Sequence, residues 1–166
     1  MSNKIWKETA KDIFAFFLDG KKVGTLQKLS DSKTKKAVVL IDGEVYTIER
    51  IGFWLRAIEI QTLEGELVAR AAYDKLYSTG MTLDLKGKTY KLYQGQSSGY
   101  GWVLREAKTE VLSYRYNRED GHNAIEATTS SPNLDPLLDF LLYYLTSSIN
   151  VEEQNTIALV TTISAL

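Results

Sequence analysis

Between Leu134 and Ile149 the chain carries sixteen residues in which Leu137 to Leu145 hold a single charge, Asp139. Wound at 3.6 residues per turn, such a run is apolar on every face, and a helix apolar on every face is buried on every face. Asn133 is placed to cap it, and Pro136 falls in the first turn, where a missing N–H does no harm. Sixteen residues rise about 24 Å, short of the ~20 residues that span a bilayer, so the expected cover is protein and not lipid. The rest of the chain must supply that cover.

What precedes the helix reads as β. Asp19-Gly20, Asp42-Gly43, Glu64-Gly65, Lys86-Gly87 and Asp120-Gly121 are X-Gly breaks between β-favouring runs, and Asp-Gly is among the strongest short hairpin signals. The first four of these glycines stand 23, 22 and 22 residues apart. Weaker breaks near the midpoints, Ser30 to Lys33, Ile51-Gly52 and Ser78 to Gly80, give a turn every ten to twelve residues, the spacing of an antiparallel barrel or sandwich. No residue-level repeat underlies the period.

Alternation between the breaks says which residues face in. Ala37 to Ile41 is an apolar, β-branched run. Ile58 and Ile60 oppose Glu59 and Gln61, and the pairs Leu83/Leu85, Tyr90/Leu92 and Trp102/Leu104 repeat the pattern, as do Leu112, Tyr114 and Tyr116. About ten strands are expected over residues 11–130, with a helix over 134–149. A tail over 151–166 is ambiguous between helix and strand. One domain accounts for all 166 residues.

Composition removes several chemistries. The chain has no cysteine and one histidine, His122, so disulfides, thiolate metal sites, cysteine nucleophiles and any site needing two imidazoles are excluded. A serine-hydrolase set would require His122 with Ser130 and Asp120, yet no Gly-x-Ser-x-Gly elbow exists. Gly87-Lys88-Thr89 looks like the end of a phosphate-binding loop, but Thr82 stands where the motif needs glycine, and the segment reads as a hairpin. Gly95 to Gly101 reads as a rim loop. No catalytic set, metal site or cofactor is expected.

Charge is the remaining signal. Residues 1–36 hold nine lysines, whereas beyond Arg118 there are seven acids and no Lys or Arg, although the net charge is only −1. Lys33, Lys35 and Lys36 fall in one loop, Lys86, Lys88 and Lys91 around one hairpin, and Arg115 with Arg118 near another turn. Cations grouped in this way suit an anionic phospholipid surface, to which each contributes about 1 kcal/mol, or a protein partner. Nucleic acid is not expected, because aromatic and basic residues are not interleaved as a stacking platform requires. Met1-Ser2-Asn3-Lys4 lacks a secretory apolar stretch, so a cytoplasmic protein, peripheral to a membrane at most, is expected.

A strand meander followed by one apolar helix resembles the tubby C-terminal-like superfamily, which includes tubby proteins, LURP-one-related proteins of plants and phospholipid scramblases. The stretches that carry the resemblance are Tyr46-Thr47-Ile48-Glu49-Arg50 through Gly65-Glu66-Leu67-Val68-Ala69 and the terminal Asp135-Pro136-Leu137-Leu138-Asp139-Phe140-Leu141-Leu142, within a likeness over residues 10 to 150. The resemblance implies an all-β barrel closed around its C-terminal helix and, as in tubby proteins, a basic pocket for phosphoinositide. It assigns no residue of this chain to that pocket, and 166 residues is compact for the group. Two other functions fit the same pattern: a lipocalin-like carrier of a small apolar ligand, which needs the helix outside an open lumen, and a structural or assembly protein that pairs through the tail from Glu152.

Overall fold

The computed structural model describes residues 2–75, 78–95, 101–117 and 124–148. Twelve strands follow one another: β1 (Lys4–Ala10), β2 (Ile13–Leu18), β3 (Lys21–Lys28), β4 (Ala37–Ile41), β5 (Glu44–Ile51), β6 (Ala57–Thr62), β7 (Leu67–Tyr73), β8 (Gly80–Leu85), β9 (Lys88–Gly95), β10 (Gly101–Glu106), β11 (Thr109–Asn117) and β12 (Ala124–Thr129). The helix α1 spans residues 136–148. Each strand pairs antiparallel with its sequence neighbour, in the order β1 to β12 without a crossover. The sheet rolls into a nearly closed barrel; β1 and β12 approach each other but share no ladder of hydrogen bonds.

The X-Gly breaks explain the roll. Asp19/Gly20, Asp42/Gly43 and Lys86/Gly87 all have positive φ at both positions, the geometry of a two-residue turn whose twist matches that of the flanking strands. In a meander, every second turn returns to the same end of the barrel. The 22- to 23-residue glycine spacing is therefore two strands and one far turn, and it gathers the tight turns at one end, the hairpin end. The opposite end, the loop end, carries the longer connections over 29–36 and 52–56 and between Tyr73 and Gly80. Register shifts in β1–β2, β2–β3, β6–β7 and β10–β11 add the local bends that closure requires.

The helix is inside. Leu137, Leu138, Phe140, Leu141, Leu142, Tyr144 and Leu145 are all buried, and they share one core with the inward residues of the strands, among them Val39, Ile48, Ile58, Ile60, Leu83, Leu92, Leu104, Leu112 and Tyr114. It enters at the hairpin end and runs toward the loop end. Close packing is visible at Gly24, where an added Cβ would lie 2.1 Å from the Leu40 carbonyl oxygen and 3.1 Å from Cζ of Phe140. Among the described residues α1 occupies the lumen that an apolar-ligand carrier would need open.

Three expectations need correction. Among the described residues there are twelve strands instead of about ten, and the first begins at Lys4, before residue 11. β1 turns Ile5 outward and the side chains of Lys4 and Trp6 inward, so its sequence shows no alternating apolar face. The helix starts at 136, and its cap is Asp135: Leu137 N–H donates to Asp135 Oδ1 at 3.0 Å, with Pro136 as the first helical residue. Ile149, the tail 151–166, Asp120, His122 and Arg118 lie outside the described residues.

Candidate functional site

The basic residues do not form one patch. Around the β8–β9 hairpin each lysine already has an acid: Lys86 Nζ lies 2.8 Å from Asp135 Oδ2, Lys88 Nζ 2.8 Å from Glu106 Oε1, and Lys91 Nζ 3.1 Å from Asp74 Oδ2. Lys91 also donates to Thr82 Oγ1 at 2.6 Å, and hydrogen bonds from Thr82 and Lys91 hold the Asp74 carboxyl below its ordinary range. Nor do these lysines share an outer face. Lys88 lies on the inward side of β9, over the Tyr90 ring, while Lys91 points outward. Arg115 reaches Glu110 at 3.8 Å on the wall of the barrel.

The loop end is built differently. The segment 29–36 folds on itself: Ser32 N–H donates to the Leu29 carbonyl at 3.1 Å, Leu29 N–H to the Lys36 carbonyl at 2.9 Å, and Lys36 N–H to Ser32 Oγ at 3.2 Å. Lys35 takes a positive φ of 53°, a conformation that non-glycine residues seldom adopt. The loop is then fastened to the helix, since the Tyr144 hydroxyl donates to the Lys35 carbonyl at 2.6 Å. Burial pushes the Tyr144 phenol up, and the neighbouring Arg50 guanidinium partly offsets that shift. Among the described residues, Arg50 Nε is buried and has no hydrogen-bond partner.

Between this loop, the β1–β2 turn and the end of α1 lies a cavity of about 260 Å³, lined by Asp12, Lys28, Leu29, Ser30, Ser32, Lys35, Lys36, Tyr144 and Ser148. Three lysines there face one aspartate. Burial holds the Lys28 ammonium below its ordinary pKa, against the opposing pull of Asp12 and Glu8, and Lys28 Nζ stands 5.5 Å from the centre of the Phe14 ring. Lysines and serine hydroxyls round a recess can receive a multivalent anion such as a phosphate group. Of the expected residues, Lys35 and Lys36 line this cavity and Lys33 lies exposed in the same loop. Lys28, Tyr144 and Ser148 were not expected. Their signal is faint but present: the helix runs from leucines to Tyr143, Tyr144, Ser147 and Ser148, a polar drift toward one end.

A larger cleft of about 600 Å³ opens on the seam between β1 and β12, with Ser2, Lys4, Asp19, Thr129, Ser130 and Asp139 among its walls. Its buried charges, Lys4 and Asp139, satisfy each other. Lys4 Nζ lies 2.7 Å from Asp139 Oδ1, the Tyr114 hydroxyl donates to the same oxygen at 2.7 Å, and Trp6 Nε1–H donates to the Tyr114 oxygen at 3.1 Å. Burial raises the Asp139 carboxyl pKa, while Lys4 and Tyr114 hold the rise back. This network ties the first strand to the helix, and it offers a ligand no unbalanced positive charge.

Among the described residues no helix is long and apolar enough to cross a membrane. Comparison of the chain with protein-family models, with curated proteins and with solved structures finds no match.

Proposed function

We propose that the barrel is a non-enzymatic, cytoplasmic module, peripheral to a membrane, that receives an anionic phospholipid headgroup at its loop end. The observation that carries this reading is the recess in which Lys28, Lys35 and Lys36 outnumber Asp12. The outer cations around β8–β9 are each paired with an acid, Asp135, Glu106 and Asp74, which favours the loop end over the hairpin end. The order of a meander followed by an enclosed helix adds support by analogy of fold with the tubby, LURP-one-related and scramblase-like superfamily.

Vesicle co-sedimentation tests the reading. Vesicles containing polyphosphoinositide should retain the protein at low salt, and added salt should release it. The triple variant Lys33→Glu, Lys35→Glu, Lys36→Glu should lose retention, whereas Lys86→Ala with Lys88→Ala should keep it. Equal recovery on neutral vesicles, or retention that survives the triple variant, would rule the site out.

A further inference from the structure

Next to the basic loop stands an unusual projection. Residues 52–56 join β5 to β6, and at their tip Phe53 is 86% and Trp54 78% exposed. Two large aromatic side chains held in water at one point are a cost that folding alone does not explain. The backbone adds to that cost. Gly52, Trp54 and Leu55 have φ of 79°, 64° and 54°, and the left-handed region is a genuine outlier for a residue as bulky as tryptophan. The surrounding structure nevertheless holds the shape. Leu55 N–H donates to the Gly52 carbonyl at 3.1 Å, and the two rings meet edge to face with centres 5.5 Å apart. The base is braced by Arg56, which stacks 4.6 Å above the Tyr73 ring and donates to the Lys75 carbonyl at 3.0 Å.

The projection adjoins the basic recess. Arg50 N–H, two residues before Gly52, donates to the Thr34 carbonyl in the 29–36 loop at 2.9 Å, and Thr34 Oγ1 donates to Glu49 at 3.0 Å. Among the described residues, Lys28, Lys33, Lys35, Lys36, Arg50, Arg56 and Lys75 stand round this end with Asp12, Asp31, Glu49 and Asp74, and Asp74 is engaged by Lys91. Aromatic rings flanked by cations match an anionic bilayer, whose interfacial zone takes tryptophan and phenylalanine while its headgroups attract lysine and arginine. We infer that residues 52–56 are a preformed aromatic finger that enters the interfacial layer of an anionic membrane while the adjoining lysines engage headgroups. The inference rests on the membrane reading above and adds to it the element that penetrates. The strained backbone keeps both rings presented before contact, so little ordering remains to be done on binding.

Tryptophan emission tests it directly, because Trp102 is buried and Trp6 is half-buried in the aromatic cluster with Phe16, Phe140 and Tyr143, which leaves Trp54 as the exposed emitter among the chain's three tryptophans. With vesicles of phosphatidylcholine and phosphatidylserine, emission should shift to the blue, and brominated acyl chains should quench it. Trp54→Phe should abolish that signal yet keep retention. Phe53→Ser with Trp54→Ser, checked for native circular dichroism, should weaken retention about tenfold, the effect of about 1.4 kcal/mol. Retention without quenching, with the double serine variant bound as tightly as the parent, would overturn the finger and leave the basic recess standing. Failure of the parent to bind anionic vesicles would overturn both.

Discussion

The two ends of the barrel are made from similar residues and do opposite things with them. At the hairpin end three lysines are each matched by an acid: Lys4 with Asp139, Lys86 with Asp135, Lys88 with Glu106. At the loop end, Lys28, Lys35 and Lys36 line one recess against Asp12, and Phe53 and Trp54 stand in solvent beside it. Turn length underlies the difference. A two-residue turn leaves no chain to shape a recess, whereas the segments 29–36 and 52–56 are long enough to fold on themselves and hold side chains in place. A lysine count therefore says little until each ammonium is assigned its carboxylate. One end uses lysines to fasten the fold, and the other gathers them round the proposed site.

The largest effect that can break this comparison is expected at the seam. Asp139→Asn leaves the Lys4 ammonium without its carboxylate in a buried site, where both side chains are about 5% exposed (6% and 5%). Urea unfolding should show a loss of about 3–5 kcal/mol, and Lys4→Met combined with Asp139→Leu should recover most of it. A loss below about 1 kcal/mol would mean that the pair behaves like an exposed one and that the two ends do not differ in this way. Vesicle retention of any folded variant should stay unchanged.

A smaller loss is expected where helix and wall touch. In Gly24→Ala the new methyl group meets the backbone oxygen of Leu40, which cannot swing aside, as well as the Phe140 ring. A loss of about 1–3 kcal/mol in thermal or urea unfolding is expected. An unchanged midpoint would show that the helix is seated more loosely than its burial implies.

The smallest effect sharpens the loop end. Burial holds Lys28 below its ordinary value of 10.5, so the folded protein releases this proton before the unfolded chain does. Across the window from that lowered value up to 10.5 the unfolded chain binds more protons, and this group's contribution to stability rises with pH. Anion binding that uses the charged form should fall across the same window, before exposed lysines titrate. Lys28→Arg, which stays charged, should flatten the decline in vesicle retention. An identical decline in both proteins would remove Lys28 from the site.

Much of the architecture was legible because the signals were local. Glycine spacing set the turns, and alternation named the inward residues from Val39 to Tyr116. Neither signal reaches β1, whose inward positions are Lys4 and Trp6. Lysine can face inward there because Asp139 awaits it 135 positions later, a pairing that no periodicity encodes. The same reason separates what was readable of the site from what was not. Lys35 and Lys36 stand together in one loop, but Lys28 sits at the end of a strand, and Tyr144 comes from a helix that looked uniformly greasy. The finger had a trace in Ile51-Gly52, a break followed at once by Phe53-Trp54, though only the exposure of both rings gives that pair its meaning.

The unbonded boundary between β1 and β12 bears on how such an object can be assembled. The meander leaves the ribosome ahead of the segment that fills it, so a nascent curl of strands has an oily concave side and nothing to put there. Threading a finished rod through an intact hoop would demand a passage no wider than the rod itself. A hoop that is split along one line can instead wrap shut around its filling, with the Lys4–Asp139 clasp as the last fastening, and no rung between neighbouring strands has to break along the way.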